Sequence, residues 1–109
     1  MFSFLSRTPV ISCQELQEAM NSKQEAPVIV DVRETGEWNA GHIDGSINIP
    51  LANIQERISK VVPNKGMPVV LCCATGGRSR VAVQILRQLG YTKASNLTGG
   101  FYAYQQTIR

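Results

Sequence analysis

A chain of 109 residues, 43% hydrophobic and 17% charged, is long enough for one core and has the composition of an ordinary globular domain. No apolar run approaches the ~20 residues of a membrane span, and the start at Met1 has neither the basic region nor the apolar length of a secretory signal, so a cytoplasmic protein with no membrane attachment is expected. The net charge of +3 divides unevenly: residues 1–54 hold three Lys/Arg and seven Asp/Glu (−4), residues 55–109 eight and one (+7), but scattered and without an aromatic ladder, which favours a field around a small anion over a nucleic-acid partner.

In chain order, residues 1–8 are expected to be a poorly ordered extension and residues 9–109 a single domain. Pro9-Val10-Ile11 suits a short edge strand. Ser12 and Glu15 have the spacing of a capping box, so a helix is predicted from about Cys13 to Asn21, with Leu16, Ala19 and Met20 as its apolar stripe and Cys13 as a small buried residue. Val28-Ile29-Val30-Asp31-Val32 is nearly continuous in β-branched residues, as in a parallel strand covered on both faces. Asp31 interrupts it and needs a partner, since an unpaired buried charge is costly; Arg33 is a candidate, as are loop amides.

Glu34 to Gly45 reads as a punctuated connection with one helical turn. Trp38 is expected to pack there and His42 to fix the loop by hydrogen bonding. Ser46 to Pro50 suits an edge strand, and Leu51 to Val62 has apolar residues at helical spacing, ending at Pro63-Asn64-Lys65-Gly66. A strand from Pro68 to Cys72 follows. Beyond the next loop, Val81, Ala82, Ile85, Leu86 and Leu89 form a helical stripe closed by Gly90. Ala94 to Leu97 makes a last strand, Thr98-Gly99-Gly100 a turn, and Phe101-Tyr102-Ala103-Tyr104 opens a final helix, its aromatic residues read as a face on the core. Strands alternating with helices define an α/β domain with a mainly parallel sheet of about five strands and helices on both faces.

The stretch that carries chemistry is Cys72 to Arg80. Ligands of open α/β sheets bind beyond the carboxyl ends of the strands, and Cys73 stands there. The following helix aims its free N–H groups and its dipole at the loop, and Arg78 adds positive charge, so thiolate is favoured over thiol. Gly76 and Gly77 let the backbone curl with its amides inward around an anion. Three cysteines, Cys13, Cys72 and Cys73, are an odd count that argues against a disulfide framework and for a reducing compartment. A lone histidine and no spaced cysteine pair argue against a metal site.

The run Cys73-Ala74-Thr75-Gly76-Gly77-Arg78-Ser79 resembles the active-site loop of the rhodanese family of sulfurtransferases. Two further stretches agree: Asp31-Val32-Arg33-Glu34 with Glu37-Trp38 and Gly41 to Pro50, and Asn96-Leu97-Thr98-Gly99-Gly100-Phe101. The resemblance implies a rhodanese-like fold and a sulfur transfer, without metal or organic cofactor, in which Cys73 takes the outer sulfur of a donor such as thiosulfate, releases sulfite and passes the sulfur from a persulfide to a thiol, a protein or cyanide. It implies that Ala74, Thr75, Gly76, Gly77, Arg78 and Ser79 form the substrate-binding loop, that the amides of Ala74 to Arg78 cradle the sulfur and that Arg78 attracts the donor's sulfonate. Asp31, Arg33, Cys72 and Arg80 are possible supporting residues. Two alternatives stand beside this one. A rhodanese-like module would carry sulfur for one dedicated protein partner. A cysteine-dependent phosphatase or arsenate reductase would use Cys72, which with Arg78 has the Cys-x5-Arg spacing but lacks the histidine before the cysteine and the glycine three residues after it.

Overall fold

Val28, Ile29 and Val30 pair in parallel with Val69, Val70 and Leu71, and these two strands form the centre of the sheet. The computed structural model describes residues 7–107, so residues 1–6 of the expected N-terminal extension lie outside the described residues. The strands are β1 (Val10–Ile11), β2 (Val28–Asp31), β3 (Ile47–Asn48), β4 (Val69–Cys72) and β5 (Ala94–Leu97), all parallel, in the order β1-β5-β4-β2-β3. The helices are α1 (Cys13–Asn21), α2 (Thr35–Ala40), α3 (Ile54–Val61), α4 (Gly77–Gln88) and α5 (Gly100–Thr107). No helix among the described residues is long and apolar enough to cross a membrane.

Alternation along the central strands divides the core in two. Val30, Val32, Val69, Leu71 and Cys73 face one side with Ile54 and Ile58 of α3 and Ala82, Val83 and Leu86 of α4. Ile29, Val70 and Cys72 face the other with Cys13 and Leu16 of α1 and, from α5, Phe101, Ala103 and Tyr104. Helices on both faces therefore cover a sheet whose central strands are apolar but for Asp31 at the end of β2. Each fully buried aliphatic side chain here adds about 1.5–3 kcal/mol.

The local signals act as expected at α1. Ser12 accepts from the Glu15 amide at 3.0 Å while its own amide donates to the Glu15 carboxylate at 2.8 Å, a reciprocal capping box. Elsewhere packing changes the reading. The segment from Leu51 opens as a 3₁₀ turn over Leu51–Asn53, because the Leu51 amide is drawn to the Val32 carbonyl at 3.0 Å and no side chain caps the start. Val81, read as core, is 45% exposed, whereas Val83 is fully buried. Helix α4 starts at Gly77 and turns Ser79, Ala82, Val83 and Leu86 inward, which leaves Val81 on the outer side. Met20 and Tyr102, also read as inward-facing, are exposed.

Candidate active site

Strand β4 ends at Cys72, and four residues later Gly76 opens α4. Within that short loop Cys73 is 2% exposed and its Sγ accepts three hydrogen bonds: from the Gly76 amide at 3.1 Å, the Ser79 amide at 3.4 Å and the Ser79 hydroxyl at 3.3 Å. Burial is the largest single influence on Cys73 and raises its pKa. The hydrogen bonds from the Ser79 hydroxyl and from the backbone of Ser79, Gly76 and Thr75 together outweigh it, so the thiol ionises below its ordinary value.

The far side of the loop explains why its amides face the sulfur. The Phe101 amide donates to the Cys73 carbonyl at 2.8 Å and the Tyr102 amide to the Ala74 carbonyl at 3.0 Å. The first turn of α5 thus holds these carbonyls away from Sγ. Gly100 makes that approach possible: at φ +62° a Cβ there would stand 2.5 Å from the Cys73 carbonyl oxygen and 2.6 Å from that of Ala74. Gly76, at φ +120°, occupies backbone space that other residues avoid. Gly77 does not: it has an ordinary φ, and a Cβ there meets nothing within 4 Å. Contrary to the sequence reading, only the first of the two loop glycines is required by conformation. Gly100→Ala is expected to cost about 3 kcal/mol by overpacking and strain, and Gly77→Ala to be neutral or stabilising by up to about 0.5 kcal/mol. Urea unfolding of both variants checks this, and equal losses would contradict it.

Arg78 is not an unpaired cation at the loop. Its two terminal nitrogens donate to the two Glu37 carboxylate oxygens at 2.7 and 3.0 Å, across 41 residues of sequence. Both side chains are 38% exposed, so the pair sits at the rim of the site. The Arg78 guanidinium, with the Glu34 amide second, holds the Glu37 carboxyl down to about 2. The sign follows: stability from the pair is complete above the ordinary carboxylate range and is lost as pH falls toward 2. At this exposure the contribution is about 0.5–1 kcal/mol. Glu37→Gln is expected to lower stability by that amount at pH 7 and to flatten the acid limb of a stability–pH profile; an unchanged acid limb would contradict it.

Asp31 and Arg33 form a buried pair beneath this rim. Arg33 Nη2 donates to Asp31 Oδ2 at 2.8 Å and to the Gly41 carbonyl at 2.7 Å, Nε contacts both Asp31 oxygens, and the Arg33 amide donates to Oδ1 at 2.9 Å. The guanidinium lies 4.6 Å from the Phe101 ring centroid, joining the loop after β2 to α5. Nearby, His42 stacks on Trp38 at 3.7 Å and its Nδ1 donates to the Trp38 carbonyl at 2.7 Å, while Trp38 Nε1 donates to Ser46 Oγ. Both residues thus serve to shape this loop. Arg80 is engaged through Nε, which donates to Thr8 Oγ1 at 3.3 Å.

Cys72 lies apart from the loop. It is fully buried in the second core, and burial first, then the Asp31 carboxylate, drives its pKa far upward. Cys13 is buried in the same core. Two residues bearing on Cys73 carried little signal in the chain. Asn96 of β5 donates from Nδ2 to the Gly76 carbonyl at 3.1 Å and accepts from the Ser79 hydroxyl at Oδ1. Its clues are a polar side chain within a strand and its place at the head of the stretch Asn96 to Phe101. Glu37 had none that linked it to Arg78.

A parallel sheet, a cysteine beyond the carboxyl end of its central strand and amides gathered on the sulfur define an α/β protein with an anion-holding thiol. The rhodanese-like domain profile matches residues 12–107, and the chain belongs to the rhodanese family. It is 44% identical to the uncharacterized protein YqhL of Bacillus subtilis over 74% of this chain and 63% of that protein. It is 40% identical to thiosulfate sulfurtransferase PspE of Escherichia coli over 64% of this chain and 67% of that protein. The chain thus spans about two thirds of these relatives' length. Among solved structures, human single-domain sulfurtransferase TSTD1 superposes with a TM-score of 0.83 at 27% identity, covering 94% of this chain and all of that one.

Proposed function

We propose that this protein is a sulfurtransferase in which Cys73 carries a sulfane sulfur from a donor such as thiosulfate to a thiol or protein acceptor. The single observation that carries the reading is the convergence of the Gly76 amide, the Ser79 amide and the Ser79 hydroxyl on Cys73 Sγ. A site built this way favours the attacking thiolate and is suited to holding the anionic persulfide that replaces it. The thiolate attacks the outer sulfur of thiosulfate, an S–S bond forms to Sγ, and the donor's S–S bond breaks with its electron pair leaving on sulfite. An acceptor thiolate then takes the outer sulfur and regenerates the Cys73 thiolate. The amides from Ala74 to Ser79 cradle the transferred sulfur. Arg78 orients the donor's sulfonate through the guanidinium N–H groups that Glu37 leaves untaken.

Residues 9–109 act as one functional unit in this reading, and a cytoplasmic location fits the three free thiols. The phosphatase alternative is disfavoured because it needs Cys72 as nucleophile, and that sulfur is buried on the opposite face. Incubation with thiosulfate followed by intact-mass measurement and peptide mapping tests the proposal. A gain of one sulfur on Cys73, removed by cyanide with release of thiocyanate, is expected. Transfer to protein acceptors alone, with no loading by thiosulfate, would instead support a dedicated carrier. Phosphate-ester hydrolysis without any sulfur loading would overturn the reading.

A further inference from the structure

The Ser79 hydroxyl has one proton and two acceptors within reach. Its oxygen lies 3.3 Å from Cys73 Sγ, and it also donates to Asn96 Oδ1. Asn96 is 8% exposed, and its amide is oriented by its other end. Nδ2 donates to the Gly76 carbonyl at 3.1 Å, so turning the amide round would set two acceptor oxygens against each other. The acceptor end of Asn96 is therefore aimed at Ser79 and competes with the sulfur for its proton.

We propose that Asn96 is a positioning residue that sets, through the Ser79 hydroxyl, how firmly Cys73 Sγ is hydrogen-bonded as its charge changes during sulfur transfer. The proposal rests on Cys73 being the nucleophile. In the thiol form the hydroxyl donates to Asn96. When Sγ ionises the hydroxyl turns to it, because a hydrogen bond to a charged acceptor is the stronger one. Once the outer sulfur is attached, the negative charge sits about 2 Å farther out, one S–S bond away. Sγ is then uncharged, and the hydroxyl returns to Asn96. Asn96 thereby stabilises the thiol and persulfide forms relative to the free thiolate, favouring the loaded carrier.

The geometry separates this role from simple support of the loop. The Gly76 carbonyl also accepts from the Arg80 amide at 3.1 Å, so it keeps an anchor when the Asn96 side chain is removed. The charged and titratable groups around the loop are Arg78 and Arg80 of α4, the first matched by Glu37 of α2 and the second bonded to Thr8, the Asp31–Arg33 pair at the end of β2, and Cys72 of β4. From α5 come the backbone amides of Phe101 and Tyr102. The Asn96 side chain is bonded to the Ser79 hydroxyl and the Gly76 carbonyl rather than to any of these groups.

The test is the pH dependence of Cys73 alkylation by iodoacetamide, located by peptide mass, in wild type, Asn96→Ala and Asn96→Asp, each with and without Ser79→Ala. Without the competing acceptor, Asn96→Ala is expected to lower the alkylation midpoint. Asn96→Asp, which holds the Ser79 proton more tightly, is expected to raise it by about one pH unit and slow alkylation below the midpoint about tenfold. In the Ser79→Ala background the Asn96→Ala shift should vanish and the Asn96→Asp shift should shrink to the direct effect of its charge. Shifts of the same sign in both variants, or shifts undiminished without Ser79, would overturn the proposal. If Asn96→Asp does not fold, Asn96→Ala decides alone: no downward shift, or an equal shift in both backgrounds, overturns it. Failure of wild-type Cys73 to alkylate at any pH would overturn the nucleophile reading beneath it, a result distinct from normal alkylation that ignores Asn96.

Discussion

Cys73→Ser is expected to abolish sulfur loading and lower turnover of thiosulfate with cyanide by at least roughly a thousandfold, about 4 kcal/mol of lost transition-state stabilisation. A serine hydroxyl fits the space, so the loop donors remain in place. At neutral pH, however, it is almost wholly protonated, and oxygen cannot hold a transferable sulfane sulfur. Cys72→Ala is expected to leave loading intact, because Cys72 Sγ sits in the other core, with its pKa driven up by burial. Its cost appears in stability instead. Intact mass after thiosulfate treatment reads both variants, and a sulfur retained by Cys73→Ser would contradict the assignment. The pH dependence has a definite sign. Because the folded thiol ionises below its ordinary value, loading should rise with pH through that lowered midpoint and level off above it. A rate still climbing steeply above the usual thiol range would contradict this.

Asp31→Ala is expected to cost about 3–5 kcal/mol, the usual loss when one partner of a buried pair is removed and the other is left uncompensated. Asp31 has no exposed surface and Arg33 only 5%, so water cannot replace the lost partner. The damage should extend beyond the pair, because the same guanidinium holds the Gly41 carbonyl and lies on Phe101, whose amide anchors the Cys73 carbonyl. In a domain of this size the loss corresponds to a fall in Tm of roughly 15 °C or more. Thermal and urea unfolding measure it, and a loss below about 1 kcal/mol would show that the pair is dispensable. A double substitution of Asp31 and Arg33 by apolar residues of similar volume should recover part of the stability, while sulfur loading stays impaired through the lost contacts to Gly41 and Phe101.

How much of this was legible beforehand depends on the range of each interaction. The capping box at Ser12 and Glu15, the five strands and the partnership of Asp31 with Arg33 all depend on residues within a few positions of one another, where spacing alone places the groups. The opposite facing of Cys72 and Cys73 was legible for the same reason: strand alternation sends neighbours to opposite faces, and the two side chains do lie in different cores. Val81 was misread because a stripe defines which residues cluster on a helix but not its rotation against the sheet. That rotation follows from where α4 begins and what it packs on.

Taken by itself, the sequence determined the alternation of strands and helices, the thiol at the end of a buried strand, and the glycine that lets the loop turn. These are consequences of side-chain period, β-branching and backbone freedom, all local properties. Tertiary structure alone decided that Glu37 occupies Arg78, that Asn96 accepts from the Ser79 hydroxyl, and that α5 closes on the Cys73 and Ala74 carbonyls over Gly100. Each of these joins residues 17 or more positions apart. Their meeting depends on the parallel order β5-β4-β2, which brings three distant segments to one end of the sheet.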